Sequence, residues 1–491
     1  MSQPSRPNIV FIVTDTQGRE VVSAYGERPG VHTPHIDRLA AQGVLFENSF
    51  ATCPLCTPAR SAWYTGLHPD RSGACCNDVG LWRDVPTLAE LLAMQGYETL
   101  HMGKWHLHGV LGDNGTPDGG FAADAWYDVT NFLDDVGREG INRFGGWNKG
   151  LDDIEYCFAH RLADRAIDAL KARRSAAGPF FLVVSFDEPH GPYICPPPFR
   201  GRTAQEGHYV PPTFQAPLDK KPRLQQEYAA WLARLRKDLQ SLPAYYDRYY
   251  DCNSFVDYEI GRVLDAIDRN CADGTVVIYT SDHGDHLGAF GLQAKGPTMY
   301  DHTLAVPLII GAVGMAPAGR REPGLVSSPD IWATLLDLAG LSPTEDRFPR
   351  ARGYTGRSLL PVLRGEVPTV RDAVFAEWHR FGARHSQDDG FYPIRCIRTA
   401  GWKLSVNLFD TDELYNLADD PEEAINLIDE PPLQGIRTEV HDRLLRWQDE
   451  TNDVYRGSCW ATRPWRPDLK PEFAGLSATG WADRWGSNDF R

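Results

Sequence analysis

The sequence predicts an α/β protein: a large, mainly parallel mixed sheet flanked by helices, followed by a smaller C-terminal α+β subdomain. Three observations lead there. Short apolar runs rich in β-branched residues are unbroken, as strands buried on both faces are. Capped helical segments lie between them, the alternation that builds parallel sheets. From about Val370 the pattern changes to short alternating strands and a helix.

The first strand is "PNIVFIV" (Pro7–Val13), ending at "TDTQG". "TPHIDRLAAQG" follows as a helix, with Thr33 as N-cap, Pro34 at its first position and Gly43 as its stop. "PTLAELLAMQG" (Pro86–Gly96) repeats that design. "PFFLVVSF" (Pro179–Phe186) is a second buried strand, ending at "DEPHGPY". Residues 196–243 are rich in proline and polar groups, with a helical patch at "LQQEYAAWLARLRKDLQ", and are expected to form a surface excursion near a site mouth. "YYDRYYDCNSFVDYEIGRVLDAIDRN" carries a helical period and leads into a third strand in "GTVVIYTSDHGD". "AVPLII" is a fourth strand and "SPDIWATLLDLAG" a further capped helix. These segments set a main domain over 1–370 and a C-terminal subdomain over 371–491. The tail from Cys459 is rich in Trp and Pro and is expected to pack on the body or on a neighbouring subunit, which would make the chain a homo-oligomer.

Bulk properties narrow the function classes. The net charge of −16 argues against nucleic acid or an anionic membrane as the main partner. An anionic substrate requires a local cluster of cations that overrides that field. No stretch has the order of a signal peptide or the length of a membrane span, so a cytoplasmic protein is expected. Ten scattered cysteines are expected as free thiols. Cys53 and Cys56 have C-x-x-C spacing, but no second pair stands ready to complete a zinc site.

In doubly wound sheets, ligands sit beyond the carboxyl ends of the strands. Three strands end in "TDTQG", "DEPHGPY" and "SDHGD", so Asp15, His190 and the pair Asp282–His283 meet at one edge. A single Asp at a strand end ordinarily caps the next turn. Two strand ends supplying Asp and Asp-His suit a divalent cation. "MGKWHLHG" carries Lys104, His106 and His108, by default a surface loop, and Lys295 sits among glycines where a long cation reaches a nearby anion. In "CTPAR", Pro58 suits the first turn of a helix and puts Cys56 at or just before its N-terminus, where backbone N–H groups acidify a thiol. Arg60, one turn on, points back at the same spot. A structural cysteine and an activated nucleophile both fit that pattern.

"CTPAR" matches the C-x-P-x-R signature of the type I sulfatases, in the alkaline phosphatase superfamily. "PNIVFIVTD", "TPHIDRLAAQGVLFENSFAT", "TGLHPDRSG", "GKWHL", "PHGPY", "TSDHGDHLGAFGLQAKG" and "DELYNLADDPEEAINL" resemble sulfatase blocks in the family's order, over roughly Arg6 to Leu427 but not the Trp-rich tail. The resemblance implies an alkaline-phosphatase-like fold and hydrolysis of a sulfate ester. It implies that a separate formylglycine-generating enzyme oxidises Cys56, and that the aldehyde hydrate is the nucleophile. It further implies that Asp15, Asp282 and His283, with the modified Cys56, ligate a divalent metal. Arg60 would steady the diol. Lys104 and Lys295 would hold sulfate oxygens, His106 would deprotonate the second hydroxyl, and His190 would act with Lys295 near the leaving oxygen.

Many members read Asp-Asp where this chain has Asp15–Thr16, and Asn where it has His283. That pattern also resembles choline sulfatases and phosphonate monoester hydrolases. Ca²⁺ is the family default, and an imidazole with fewer carboxylates also suits Mn²⁺ or Mg²⁺, with the Thr16 hydroxyl or Gln17 as a substitute donor. For the substrate, a carbohydrate or small organic sulfate ester is expected, with Trp105, His108, Trp147, Trp378, His379 and Arg380 as mouth candidates. The rival readings are a formylglycine-dependent phosphonate monoester or phosphodiester hydrolase, and a non-catalytic binding protein with unmodified Cys56.

Overall fold

Successive residues of the central strands enter different cores. In β1 (Asn8–Thr14), Val10 and Ile12 join one apolar cluster, while Ile9, Phe11 and Val13 join another. β5 (Phe180–Ser185) and β6 (Thr275–Ser281) divide their side chains the same way. The period of two places alternate Cβ atoms on opposite faces, so an unbroken apolar run is what a sheet covered on both sides requires. Helices Pro34–Gln42, Phe158–Ala172 and Leu242–Asn270 cover one face. Helices Cys56–Thr65, Leu88–Met94 and Ser328–Leu338 cover the other. The computed structural model describes residues 6–108, 117–137, 152–174, 178–238, 242–312, 317–341, 353–382, 390–466 and 468–469.

Among the described residues, the large sheet has nine strands. With β2 (Val44–Phe50), β3 (Glu98–Gly103), β4 (Trp126–Tyr127), β7 (Ala305–Val306) and β8 (Leu308–Ala312), its order is β4-β3-β5-β1-β6-β8-β2-β7, and β9 (Arg320–Ser327) pairs with β2. The block β4-β3-β5-β1-β6 is parallel. β8 runs antiparallel to both β6 and β2, which returns β2 to the direction of the parallel block. The mainly parallel mixed sheet is as expected. "AVPLII", however, is two strands, both antiparallel to their partners, because Pro307 has no N–H to give the ladder.

The helix at Pro34–Gln42 has the expected bounds, but Thr33 makes no side-chain cap. Asp257 of the long helix takes that role, accepting the N–H groups of His35 at 3.2 Å and Ile36 at 2.9 Å. The hydroxyl of Thr33 is bound to Ser23 instead, at 2.7 Å. Leu88–Met94 carries a full capping box between Thr87 and Glu90, and Ser328–Leu338 one between Ser327 and Asp330. Within 196–243, a helix spans Arg223–Asp238. No helix among the described residues is long and apolar enough to cross a membrane. All ten cysteines are free thiols.

The C-terminal region builds a separate antiparallel sheet, β10 (Ala373–Trp378), β11 (Ile394–Thr399), β12 (Trp402–Asn407) and β13 (Glu413–Asn416), in that order, covered by helix Gln434–Glu450. Trp460 of the tail is buried against this sheet and helix; residues 470–491 lie outside the described set. Arg395 of β11 ties the sheet to the main body. Its guanidinium reaches Asp70 Oδ2 at 2.5 Å and Asp453 Oδ2 at 2.6 Å, with all three side chains buried. Glu377 beside it accepts the N–H of Asp70 at 2.7 Å. Burial, with Asp70 adding to it, pushes the Glu377 carboxyl well above its ordinary range. Removing one member of such a network leaves uncompensated buried charge. Arg395→Ala is therefore expected to lower stability by about 3–5 kcal/mol, read as a fall in the urea midpoint of the transition followed by tryptophan fluorescence.

Candidate active site

Strand register brings the first residues together. Thr14 of β1 lies opposite Ser281 of β6, so Asp15 and Asp282 leave adjacent parallel strands side by side. Gly103 of β3 lies opposite Ser185 of β5, so Lys104 emerges beside them. Gly103 has φ +109°, and a Cβ there would lie 1.9 Å from the Ser185 carbonyl oxygen. Glycine alone allows that approach. The chain reverses after β2 and starts helix Cys56–Thr65 at the same edge, with Cys56 as its first residue. Asn77 Oδ1 accepts the Thr57 N–H at 3.1 Å, and Thr57 Oγ1 donates to the His106 carbonyl at 2.9 Å. These two bonds fix the first turn, whose N–H groups no preceding turn can satisfy.

Arg60 is fully buried and organises the centre. Its Nε donates to Asp282 Oδ2 at 3.0 Å, its Nη2 to Asp15 Oδ2 at 3.1 Å, and its Nη1 to Ser185 Oγ at 2.8 Å and the Lys104 carbonyl at 3.0 Å. Lys104 Nζ bridges Asp15 Oδ2 at 2.8 Å and Asp187 Oδ1 at 2.7 Å. Lys295 Nζ lies 2.9 Å from Cys56 Sγ, and His283 Nε2 lies 3.4 Å from the same sulfur. Burial raises the Asp15 carboxyl, but Lys104, His190, Lys295 and Arg60 outweigh it and hold it well below its usual range. Burial and Asp15 likewise push the Cys56 thiol up, yet Lys295, Lys104 and His283 bring it well below normal. Two buried cations, Arg60 and Lys295, and the half-buried Lys104 thus concentrate positive field at one point of a chain whose net charge is −16.

Asp15, Cys56, Asp282 and His283 present one ligand atom each, all within 4.8 Å of one another. The Nδ1 of His283 faces the Gly284 carbonyl at 2.8 Å. That bond assigns its proton to Nδ1 and leaves the Nε2 lone pair directed at the cluster. Two carboxylates and an imidazole oriented in this way fit a divalent cation. Gln17 is not part of this set. Its Oε1 accepts from Thr14 Oγ1 at 2.9 Å and from the Tyr279 hydroxyl, and its Nε2 donates to Asn253 at 2.6 Å. The Thr16 hydroxyl sits at the edge of the set, donating to Asp15 Oδ1 at 2.7 Å.

A cavity of about 600 Å³ opens over this centre, lined by Thr16, His190, Tyr193, Tyr228, Tyr245, Arg248, Lys295 and Phe381 among others. The Nδ1 of His190 faces the Gly191 carbonyl at 2.7 Å, which leaves its Nε2 for a ligand. His106 lies half-buried beside the first turn of the Cys56 helix, with φ +60°. The expected mouth residues lie elsewhere. Trp105 and Trp378 are in the core; the Trp105 indole donates to Asp118 at 3.2 Å. His108 packs against Trp105 and Trp126. His379 is buried against Asp70, half-buried Arg380 follows it, and neither lines the cavity. Trp147 is outside the described residues. Sequence reasoning passed over Asp187, although it opens the same "DEPHGPY" stretch as His190 and directly follows a strand. It had no signal for Tyr228, Tyr245 or Arg248, which reach the cavity only because two helices fold over it.

Residues 7–341 match the family model of the sulfatases, and residues 288–450 match that of the C-terminal region of N-sulphoglucosamine sulphohydrolase. The chain is 35% identical to the uncharacterized sulfatase YidJ of Escherichia coli K12, over 96% of this chain and 93% of that one. It is 29% identical to the choline-sulfatase of Rhizobium meliloti, over 91% of this chain and 88% of the other. Among solved structures, the phosphonate monoester hydrolase of Agrobacterium radiobacter superposes with a TM-score of 0.75 at 25% identity, covering 91% of this chain and 96% of that one. If Asp282 is a metal ligand, Asp282→Ala is expected to weaken Mn²⁺ or Ca²⁺ binding by at least about tenfold, measured by titration calorimetry; an unchanged affinity removes Asp282 from the ligand set.

Proposed function

Since this chain belongs to the sulfatase family and is a sulfuric ester hydrolase, we propose that residue 56, converted from cysteine to formylglycine, is the nucleophile that cleaves a carbohydrate or small organic sulfate ester. The observation that carries this reading is the position of Cys56. It is the first residue of a helix, with Lys295 Nζ at 2.9 Å and His283 Nε2 at 3.4 Å from its sulfur. A buried thiol used only for packing has no need of those neighbours.

Hydration of the aldehyde gives residue 56 two hydroxyls on one carbon. One gives up its proton to solvent and attacks sulfur in line as the S–O bond to the substrate alcohol breaks. His190, with Lys295, delivers the proton that the leaving oxygen takes up. Lys104 and Lys295 offset the charge that builds on the sulfate oxygens. His106 then removes the proton of the second hydroxyl, the C–O bond to sulfate breaks, and the aldehyde re-forms. The second step is intramolecular, so no water need attack an enzyme-bound sulfate ester. Arg60 holds Asp15 and Asp282 at fixed spacing throughout. Asp15, Asp282 and Nε2 of His283 would hold a divalent cation, Ca²⁺ or, given the imidazole, Mn²⁺ or Mg²⁺, which supplies Lewis-acid polarisation when bound.

Cys56 is 1% exposed in the folded chain, so the formylglycine-generating enzyme must meet it before folding is complete. The free cysteines support a reducing compartment such as the cytoplasm. A phosphonate monoester hydrolase of this architecture is the second reading, favoured by the likeness to the Agrobacterium enzyme. Comparing aryl sulfate, aryl phosphonate and phosphodiester decides between them; a sulfate that is the poorest of the three by kcat/KM sinks the sulfatase reading. Cys56→Ala is expected to abolish turnover with the thermal transition unchanged. Cys56→Ser should leave at most one turnover per site, since its hydroxyl attacks but cannot eliminate sulfate. Sustained normal rates in either variant, or an unmodified Cys56 peptide mass in fully active protein, contradict the mechanism.

A further inference from the structure

The cavity over the active centre has a second cation that the chemistry above does not use. Arg248 lies on helix Leu242–Asn270, three residues after Tyr245 and so on the same helical face. Both side chains line the cavity. Arg248 is exposed and pairs with no carboxylate among the described residues, although acidic residues outnumber basic ones 66 to 50 in this chain.

The rest of the wall explains why that charge points to a ligand. The Tyr228 hydroxyl donates to the Gln293 carbonyl at 2.8 Å, and the Tyr245 hydroxyl is bound to that of Tyr193. Both phenols are held by the protein, which fixes the rings and leaves their apolar surfaces to the cavity. Asp285 is the one carboxylate among the described lining residues, and it is fully buried. Its Oδ1 accepts the N–H groups of Leu287 at 2.8 Å and Ala294 at 2.9 Å, which closes the loop, while its Oδ2 makes no hydrogen bond among the described residues. Lys295 stands at the inner end of the cavity, and Arg248 at the solvent side. The space, about 600 Å³, fits a molecule the size of one or two sugar rings.

Resting on the sulfatase reading, we propose that Arg248 is a specificity-determining residue: it binds a second anionic group, a carboxylate or a further sulfate, on a saccharide whose scissile sulfate lies at Lys295. A guanidinium recognises either group through paired N–H donors, and the fixed tyrosine rings pack against the sugar between the two charges. A quaternary ammonium alcohol is disfavoured, because it would carry its positive charge towards Arg248.

The test uses formylglycine-bearing, metal-loaded enzyme with p-nitrophenyl sulfate as reporter. Competitive inhibition constants are measured for matched pairs of sugar sulfates differing by one anion: N-acetylglucosamine 6-sulfate against N-sulfoglucosamine 6-sulfate, glucose 2-sulfate against glucuronate 2-sulfate. Choline sulfate is run beside them. At least one pair should favour the dianion by tenfold or more, and the pair that does tells sulfate from carboxylate. In Arg248→Gln that gap should close, and in Arg248→Lys it should narrow; raising the salt should shrink it in the wild type. No gap in any pair, a gap that survives Arg248→Gln, or choline sulfate as the tightest binder overturns the assignment while leaving the sulfatase reading intact. Failure to turn over aryl sulfate, with aryl phosphonate hydrolysed, overturns both.

Discussion

The contact on which the rest of the active centre depends is the clamp of Arg60 on Asp15 and Asp282. Those two carboxylates leave neighbouring parallel strands in register, and without a cation between them they would repel at short range in a medium of low dielectric. Arg60 reaches both, at 3.1 and 3.0 Å, from the second turn of the helix that Cys56 begins. The spacing of four residues in "CTPAR" therefore has a mechanical meaning. It fixes the distance between the start of the helix and the carboxylate pair, so residue 56 and the strand ends are positioned by one rigid fork rather than by two loops.

The same logic extends outward through Lys104. Its ammonium joins Asp15 to Asp187, and its carbonyl accepts from both Arg60 and Ser185. Backbone and side chain of one residue thus connect β1, β3, β5 and the Cys56 helix. Burying this many charges is costly unless each finds a partner. Here nearly every carboxylate oxygen and guanidinium nitrogen in the centre does, and the unbalanced group is the thiol itself, which the surrounding cations press toward its ionised form.

Around this centre the molecule separates two tasks. Strand ends supply the fixed charges, whose placement needs only sheet register. Helices Arg223–Asp238 and Leu242–Asn270 supply the cavity wall, where Tyr228, Tyr245 and Arg248 meet the space that a substrate's alcohol portion would occupy. The wall can change without disturbing the clamp, because among the described residues no hydrogen bond of Arg60 involves it. The segment that follows β10 contributes Phe381 to the cavity, and the C-terminal sheet is anchored through the buried Arg395 network, so the mouth and the strand ends stay in one frame.

The sequence by itself determined the covered, mainly parallel sheet, the strand ends that carry Asp15 and Asp282–His283, and the helix start at Cys56. These are local matters: a period of two, a proline in the first turn, a polar cluster directly after an apolar run. Tertiary structure alone decided which cations meet Cys56, that Asp187 shares Lys104, that Asp257 rather than Thr33 caps the helix at Pro34, and which aromatics face the cavity. Trp105, Trp378 and His379 read from sequence as pocket residues, yet the first two are packed in the core and the third is held by Asp70. A large side chain near a functional motif has the same local signature whether it lines a cavity or fills a core. Only the packing of segments distant in the chain, here two helices closing over the strand ends, tells the two apart.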